Sequence, residues 1–185
     1  MTELPAHHQA LGDYLIRPIV PGDAEQLADV HVAVWRATYP GMMNQDRLDS
    51  LEVSERVAMW DNVINRRQSS EADGVRSRCA VHRTSGRIVG FATGGSARDH
   101  NAPAPFELWS LYLLPAHHGR GIAGPLMHSV IPPAYATYVW VATGNSRAIA
   151  FYRKYGFELN SAQQFDTRWG CHESAMVRPG LTPNA

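Results

Sequence analysis

The chain has 185 residues, of which 44% are hydrophobic and 18% charged, and this length and composition suit a single globular domain. Its 17 Lys and Arg residues balance its 17 Asp and Glu residues, which argues against a protein that binds nucleic acid or a membrane surface mainly through charge. Residues 1–11 lack the apolar stretch of a signal peptide, and no apolar run is long enough to span a bilayer. We therefore expect a cytoplasmic protein without nucleic-acid or membrane partners.

The cysteines and histidines show no pattern of a disulfide or a metal site. Cys79 and Cys171 lie far apart and have no CxxC spacing, so we expect both to be free thiols. The pairs His7-His8 and His117-His118 lack a companion motif such as HExxH. We therefore expect no bound metal.

The first part of the chain predicts a flexible leader, a strand and two helices. Residues 1–12 are the leader, and residues 14–19 are the strand, which ends at a Pro-Gly turn. Asp23, with Gln26 three residues later, resembles a capping box and predicts the start of the first helix. Ser54 predicts the start of the second helix as its N-cap.

The rest of the chain predicts a mixed order of strands and helices. Residues 66–75 are polar and predict a loop. Strands are expected at 77–83, 87–94, 107–113, 138–142, 157–159 and 171–178, and helices at 125–131 and 146–155. This order is typical of an α/β domain, here over residues 13–178, followed by a flexible tail at 179–185.

A glycine-dense turn joins the strand at 107–113 to the next helix. Its residues, 119–124, read Gly-Arg-Gly-Ile-Ala-Gly. Glycine lets backbone N–H groups approach a ligand closely, and the N-terminus of the helix adds partial positive charge. The turn therefore predicts a pyrophosphate site, although such a turn taken alone is often only a turn. The chain lacks the Lys-Ser/Thr of a P-loop, which argues against the alternative of an unrelated nucleotide-binding fold.

A second motif lies at residues 140–157. Asn145 opens the predicted helix, Tyr152 follows seven residues later, and the helix ends at Gly156-Phe157. This segment is very similar to the C-terminal motif of the Gcn5-related N-acetyltransferase (GNAT) family, in which an Asn opens a helix that carries a Tyr and ends in Gly-Phe. The chain therefore resembles that family.

The glycine turn resembles the cofactor loop of the same family, which has the form Gln/Arg-x-x-Gly-x-Gly/Ala. Gly121 and Ala123 match the last two positions of that pattern. His118 departs from it, since the family usually has Gln or Arg there. A histidine at this position can still donate a hydrogen bond.

The resemblance implies the GNAT fold, an α/β fold with a mixed, strongly twisted central sheet and helices on both faces. The parallel strands at 107–113 and 138–142 would splay apart and admit acetyl-CoA as cosubstrate. The backbone of Leu111, Tyr112 and Leu113 would pair with its pantetheine arm. The pyrophosphate would lie on Gly119, Arg120, Gly121, Ile122, Ala123 and Gly124, with His118 beside them. Asn145 would lie near the pantetheine or the reacting thioester; the alternative is that it simply caps the helix.

The resemblance also implies two catalytic residues. Tyr152 matches the general acid of the family, and a phenol remains protonated at neutral pH; the alternative is a core aromatic residue. Glu107 falls where one branch of the family has its general base; the alternative is an exposed glutamate at a strand end. Period-2 alternation places Glu107 on the same face as Trp109, Leu111 and Leu113, unless a bulge intervenes.

Taken together, these features predict an acetyl-CoA-dependent N-acetyltransferase. The acceptor would be a primary amine of a small molecule or peptide. In the family the end of the first long helix, here with Trp35, Arg36 and Tyr39, often helps line the acceptor site, but core packing is the favoured role for these aromatic residues. Neither cysteine lies in a motif, so we expect direct transfer in a ternary complex. An acyl-CoA-binding or regulatory domain without catalysis is the alternative function, and the sequence leaves a homodimer and the identity of the acceptor open.

Overall fold

A computed structural model describes residues 9–180 of the chain. In chain order its elements are β1 (Gln9–Leu11), β2 (Tyr14–Pro18), α1 (Ala24–Thr38), α2 (Gln45–Asp49), α3 (Val53–Asn65), α4 (Arg67–Ala72), β3 (Arg76–His82), β4 (Arg87–Ser96), β5 (Phe106–Leu113), a 3-10 turn (Pro115–His117), α5 (Ala123–Val130), β6 (Thr137–Ala142), α6 (Ser146–Lys154), β7 (Glu158–Asp166) and β8 (Cys171–Arg178). Within this part of the chain, no helix combines the length and the apolarity that crossing a bilayer requires.

The strands of the described residues form one mixed sheet in the order β1-β2-β3-β4-β5-β6-β8-β7. Neighbouring strands are antiparallel except β5 and β6, which run parallel. The ladder between β5 and β6 consists of the pairs Phe106–Thr137 and Glu107–Tyr138, and beyond them the two strands diverge. The predicted α/β fold class is confirmed, and the splayed pair is the one expected from the sequence.

Helices cover both faces of the sheet. On one face α1 and α3 bury an apolar stripe, with Leu27, Val34 and Trp60 packed against Phe91 of β4. On the other face α5 and α6 pack Leu126 and Tyr152, among others, into a separate cluster. This two-sided burial explains why β3 and β4 are buried over most of their length without alternation.

The start of α1 differs from the predicted capping box. Asp23 occupies the N-cap position, but its carboxylate does not bond to the helix. It instead accepts hydrogen bonds from the Arg17 guanidinium at 2.6 and 2.8 Å and from the Val20 N–H. The Gln26 amide oxygen accepts from the N–H of Ile88 in β4. The side chains of Asp23 and Gln26 therefore bond to residues outside α1 instead of capping its first turn.

Other boundaries also differ from the sequence expectation. Residues 67–72 form α4, because Glu71 pairs with Arg67 one turn earlier and with Arg78 of β3, which stabilises a segment that shows no apolar period. Helix α3 begins at Val53, one residue before the predicted cap. Of the expected leader, residues 9–11 form β1 and pair with β2, while residues 1–8 lie outside the described part of the chain.

Candidate active site

Strand β5 contains a bulge that decides which side chains reach the site. Leu108 pairs with Gly94 and Ser110 pairs with Thr93, so Trp109 is an inserted residue without a partner in the β4–β5 ladder. The insertion breaks the period-2 alternation. Glu107 therefore does not share a face with Leu111 and Leu113, because those two side chains pack into the core beneath α5.

Two clefts open at the gap between β5 and β6 in the described residues. The first, of about 490 Å³, contains the turn Gly119–Gly124, and we call it the glycine cleft. It is lined by every residue predicted to bind the cofactor, namely Leu111, Tyr112, Leu113, His118, Gly119, Arg120, Gly121, Ile122, Ala123, Gly124 and Asn145. The second, of about 820 Å³, is lined by all five tryptophans, and we call it the tryptophan cleft. Glu107 lies in the tryptophan cleft.

The glycine turn is held in a conformation that only glycine adopts readily. Gly119 and Gly121 have φ angles of 72° and 75°, in the left-handed region. A Cβ on Gly124 would overlap the hydroxyl oxygen of Tyr155, so α5 lies close to α6 at this point. Because α5 begins at Ala123, its first N–H groups lack intrahelical partners at the cleft.

The charge of the glycine cleft is positive. Arg120, Arg147 and Lys154 line it, and no described Asp or Glu does. The sequence analysis did not single out Arg147, although its place two residues after Asn145 puts it in the first turn of α6. Such a lining favours an anionic ligand.

His118 holds Arg147 at the edge of this cleft. Its Nε2 donates to the Leu113 carbonyl at 2.9 Å, which leaves Nδ1 as an acceptor for the Arg147 guanidinium at 2.7 Å. Burial lowers the pKa of His118, and the charge of Arg147 lowers it further. The histidine is therefore neutral at neutral pH and bridges β5 and α6.

Asn145 and Tyr152 belong to α6. The Asn145 amide oxygen accepts from the Ala148 N–H at 3.1 Å, so the side chain caps the helix. Tyr152 is 7% exposed and packs against Phe157, yet it also lines the glycine cleft. Burial raises the pKa of Tyr152, which keeps the phenol protonated at neutral pH. It is thus a core residue whose protonated phenol also lies at the cleft wall.

The two clefts meet where β5 and β6 diverge. Of the described residues, those that line both clefts are Tyr39, Trp109, Ser110, Tyr112, Trp140 and Ala142. The hydroxyl oxygens of Tyr39 and Tyr112 lie 3.3 Å apart. Trp35 packs in a core cluster and also lines the tryptophan cleft, whereas Arg36 donates to the Leu51 carbonyl and lies outside both clefts. A group held in one cleft can thus reach a group held in the other.

Glu107 is buried, 2% exposed, and it is already engaged by a neighbour. The Arg98 guanidinium forms a two-point ion pair with its carboxylate, with Nε 2.9 Å from Oε2, and the Arg98 N–H donates to the same oxygen at 3.2 Å. Arg98 also stacks over the Trp109 ring. These contacts occupy several of the positions at which the carboxylate oxygens can accept hydrogen bonds.

Glu173 of β8 is a second carboxylate in the tryptophan cleft, and sequence reasoning missed it. It pairs across the sheet with Ala142, one of the residues at the junction of the clefts. Its described hydrogen bond is from the Gln164 amide at 2.8 Å. Burial raises the pKa of Glu173, and the charges of Asp166, Asp99 and Glu107 raise it further. A pattern search could not find it, because β8 has no recognisable site motif.

His31 of α1 lies in the wall of the tryptophan cleft with 8% exposure. Its ring is surrounded by Trp35, Trp60, Phe91 and Tyr112, and neither ring nitrogen has a hydrogen-bond partner among residues 9–180. Burial lowers the pKa of His31 to about 4, with a further contribution from the charge of Arg56. The imidazole is therefore neutral at neutral pH.

The cysteines lie away from this chemistry. Cys79 and Cys171 are free and buried, and neither lines either cleft. Burial raises the pKa of both thiols, to about 12 for Cys79 and about 11 for Cys171. Among residues 9–180, no three His, Cys, Asp or Glu side chains form a group that could hold a metal ion.

Comparisons with known proteins agree with this architecture. Residues 41–157 match the model of the acetyltransferase (GNAT) family. An uncharacterized N-acetyltransferase of Mycobacterium tuberculosis is 33% identical over 166 residues, which cover 84% of this chain and 97% of that protein. The crystal structure of a PaiA N-acetyltransferase from Thermoplasma acidophilum in complex with coenzyme A aligns with a TM-score of 0.68 at 21% identity, over 90% of this chain and 98% of that one. A ribosomal-protein-S5-alanine acetyltransferase from Vibrio fischeri aligns with a TM-score of 0.65 at 12% identity, over 94% and 96% of the two chains. Both solved structures share the fold of this chain.

Proposed function

This chain belongs to the acetyltransferase (GNAT) family and is an acetyltransferase, and from that premise we propose that it transfers an acetyl group from acetyl-CoA to a primary amine by direct transfer in a ternary complex. One observation carries the proposal: the glycine cleft and the tryptophan cleft meet at a shared set of residues between diverging strands. The glycine cleft is the site for acetyl-CoA, and the tryptophan cleft is the site for the amine.

The glycine cleft suits coenzyme A in its charge and its backbone. Residues 119–124 and the first N–H groups of α5 offer donors to the pyrophosphate, and Arg120, Arg147 and Lys154 offer cations to its phosphates. Beyond Glu107 the edge of β5 that faces β6 has no ladder partner, so the backbone of Leu111–Leu113 is available to the amides of pantetheine. The Asn145 amide group, whose oxygen already caps α6, keeps its N–H donors for the same arm.

Acetyl-CoA supplies the acetyl group as a thioester, and its transfer to an amine requires that the ammonium lose a proton and the departing sulfur gain one. Tyr152 donates the proton to the sulfur. It lies on the wall of the glycine cleft, and its phenol is protonated at neutral pH because burial raises its pKa.

The proton of the ammonium goes to a carboxylate of the tryptophan cleft, directly or through a water molecule. The sequence prediction for this base is Glu107, and it stays a prediction. Glu173 is better suited, because it has no cationic partner within 4.0 Å among the described residues, whereas Glu107 is paired with Arg98. A raised pKa also makes Glu173 a stronger proton acceptor than an ordinary carboxylate.

Direct transfer is supported by the position of the cysteines. Cys79 and Cys171 are buried outside both clefts with raised pKa values, so neither offers a thiolate to accept the acetyl group. The cytoplasmic location, the homodimer and the absence of a metal stay predictions from the sequence.

The experiment is a turnover assay that detects the free thiol of CoA. The protein is incubated with acetyl-CoA and a panel of small primary amines and short peptides, and binding of CoA is measured by calorimetry in parallel. We expect CoA to bind and the release of thiol to depend on the amine. Tight binding of CoA without amine-dependent thiol release from any member of the panel would point instead to an acyl-CoA-binding domain without catalysis.

A further inference from the structure

Two arginines of the tryptophan cleft flank one aromatic ring. The guanidinium carbon of Arg56, on α3, lies 5.7 Å from the centre of the Trp169 ring, and that of Arg168 lies 5.2 Å from it. Both distances are within cation–π range. All three residues line the cleft. The strand connection that carries Arg168 and Trp169 is fixed by Asp166, whose carboxylate accepts from the N–H groups of both.

These two guanidinium groups have no anionic partner. Among residues 9–180, no carboxylate oxygen lies within 4.0 Å of either one, and Asp166 is used by the backbone of its own turn. The Nε of Arg56 is buried without any hydrogen-bond partner. Burial lowers the pKa of Arg56, and the charge of Arg168 lowers it further, so the two cations are close enough to repel each other.

The other arginines of the cleft differ. Arg98 is paired with Glu107, Arg67 is paired with Glu71, and Arg66, which is exposed as Arg168 is, stacks on no aromatic ring of the described residues. Only at Arg56 and Arg168, within the described residues, does the cleft hold two cations around one ring without a carboxylate. Arg56 is half-buried and Arg168 exposed, and holding their like charges together costs free energy, which an anionic ligand would offset.

A series of aromatic rings connects the two arginines with the junction of the clefts. The Tyr112 ring, at the junction, is 6.2 Å from the Trp35 ring, and the Trp35 ring is 4.6 Å from the Trp169 ring. One aromatic residue thus separates the place of acetyl transfer from the two arginines. The carboxylates Glu107 and Glu173 lie in the same cleft on the strands that border the junction.

We infer that the acceptor is an amine that carries an anionic group several bonds away, with the ammonium at the junction near Glu173 and the anion between Arg56 and Arg168. A carboxylate fits the planar guanidinium groups in a bidentate manner, and a phosphate offers the same chemistry with more charge. The inference rests on the proposed function for the amine group of the acceptor, and it adds the chemical class of the group at the other end of the acceptor.

The test compares acceptors that differ at one end. Hexylamine, aminohexanoate and aminohexyl phosphate share the amine and the carbon chain, and hexanediamine replaces the anion with a second cation. The quantity measured is kcat/KM for each, in wild type, Arg56→Gln, Arg168→Gln and the control Arg87→Gln, whose side chain is exposed and lines neither cleft. Binding of aminohexanoate to the protein–CoA complex is measured by calorimetry alongside.

We expect an anionic acceptor to exceed hexylamine in kcat/KM by at least about tenfold, equivalent to about 1.4 kcal/mol. In Arg56→Gln and Arg168→Gln this ratio should fall toward one, while Arg87→Gln keeps it. A comparison of kcat/KM for aminohexyl phosphate and aminohexanoate shows which anion is preferred. Hexanediamine should be the poorest acceptor of the series.

The outcomes separate this inference from the proposed function. Equal kcat/KM for hexylamine and both anionic acceptors, or a preference that Arg56→Gln and Arg168→Gln leave intact, overturns the inference while acetyl transfer stands. Binding of aminohexanoate that needs both arginines, without turnover of any amine, would keep the anion site between Arg56 and Arg168 but overturn the proposed function and, with it, the inference about the acceptor. The absence of both anion-dependent turnover and anion-dependent binding would also overturn the inference.

Discussion

Tyr39 and Tyr112 join the end of α1 to β5, with their hydroxyl oxygens 3.3 Å apart at the place where the two clefts meet. Burial raises the pKa of both phenols, and in Tyr39 the proximity of Tyr112 raises it further. Both are therefore neutral at neutral pH. The junction is thus bordered by uncharged hydroxyl groups, and the carboxylates Glu107 and Glu173 line the tryptophan cleft and not the glycine cleft.

Gly121→Val should weaken the binding of CoA by at least about tenfold, or about 1.4 kcal/mol. Gly121 has a φ of 75°, and a β-branched residue in that region strains the turn and displaces the N–H groups around it. The measurement is calorimetry with CoA. Gly86→Val is a matched control, because Gly86 also has a positive φ, in a hairpin turn that lines neither cleft. Equal affinity in a folded Gly121→Val protein would remove the turn from the CoA site.

Tyr152→Phe should lower kcat by about 10²- to 10⁴-fold and leave the affinity for CoA nearly unchanged. The substitution keeps the ring that packs against Phe157 but removes the proton from the cleft wall. The measurement is kcat on any accepted amine, with CoA binding in parallel. A kcat within about twofold of wild type would mean that Tyr152 serves packing alone and that the sulfur takes its proton elsewhere.

The glycine turn and the Asn145–Tyr152 helix could be predicted from the sequence because each is a local pattern along one stretch of chain. The tryptophan cleft could not, since its five tryptophans come from five separate segments that only the tertiary fold brings together. The bulge at Trp109 was also hidden, because an inserted residue leaves no mark in the pattern of apolar residues. Glu173 could not be predicted either, because only the tertiary fold brings it to the cleft. The sequence predicts a loop where α4 forms, because the stability of α4 comes from ion pairs rather than from an apolar face.

Glu173→Gln should lower kcat by about 10²-fold and at the same time stabilise the protein at neutral pH. The folded state raises the pKa of Glu173 above its ordinary 4.5. The stability that comes from the protonated side chain is therefore fully present below pH 4.5, its ordinary pKa, and is lost as pH rises through the raised pKa of the folded state. The gain in unfolding midpoint should accordingly vanish in acid, which urea titrations at several pH values can follow.

Glu107→Gln provides the comparison for the base. Replacing this carboxylate leaves the Arg98 guanidinium without its partner, so this variant should be destabilised at neutral pH instead. A larger loss of kcat in Glu107→Gln than in Glu173→Gln, with the fold intact, would restore Glu107 as the base.

His31→Gln should reduce the sensitivity of the protein to acid. The folded pKa of His31, about 4, lies below its ordinary 6.5, so its stabilising effect is complete above pH 6.5 and is lost as pH falls toward 4. Through this histidine the free energy of unfolding falls by about 3 kcal/mol as pH goes from 6.5 to 4. Urea unfolding at neutral and mildly acid pH measures it, with a substitution of the exposed His100 as the control. An unchanged slope of unfolding free energy against pH in His31→Gln would mean that His31 is not the acid-sensitive group.

The short ladder between β5 and β6 also bears on how the molecule holds together. Backbone hydrogen bonds unite β1 to β5 on one side and β6, β8 and β7 on the other, and two residue pairs form the seam. The cluster beneath α5 crosses this seam, since Leu108 of β5 lies in it together with Val139 of β6 and Met176 of β8. Cooperative melting of the two halves therefore depends on side-chain packing under the gap rather than on a continuous backbone ladder.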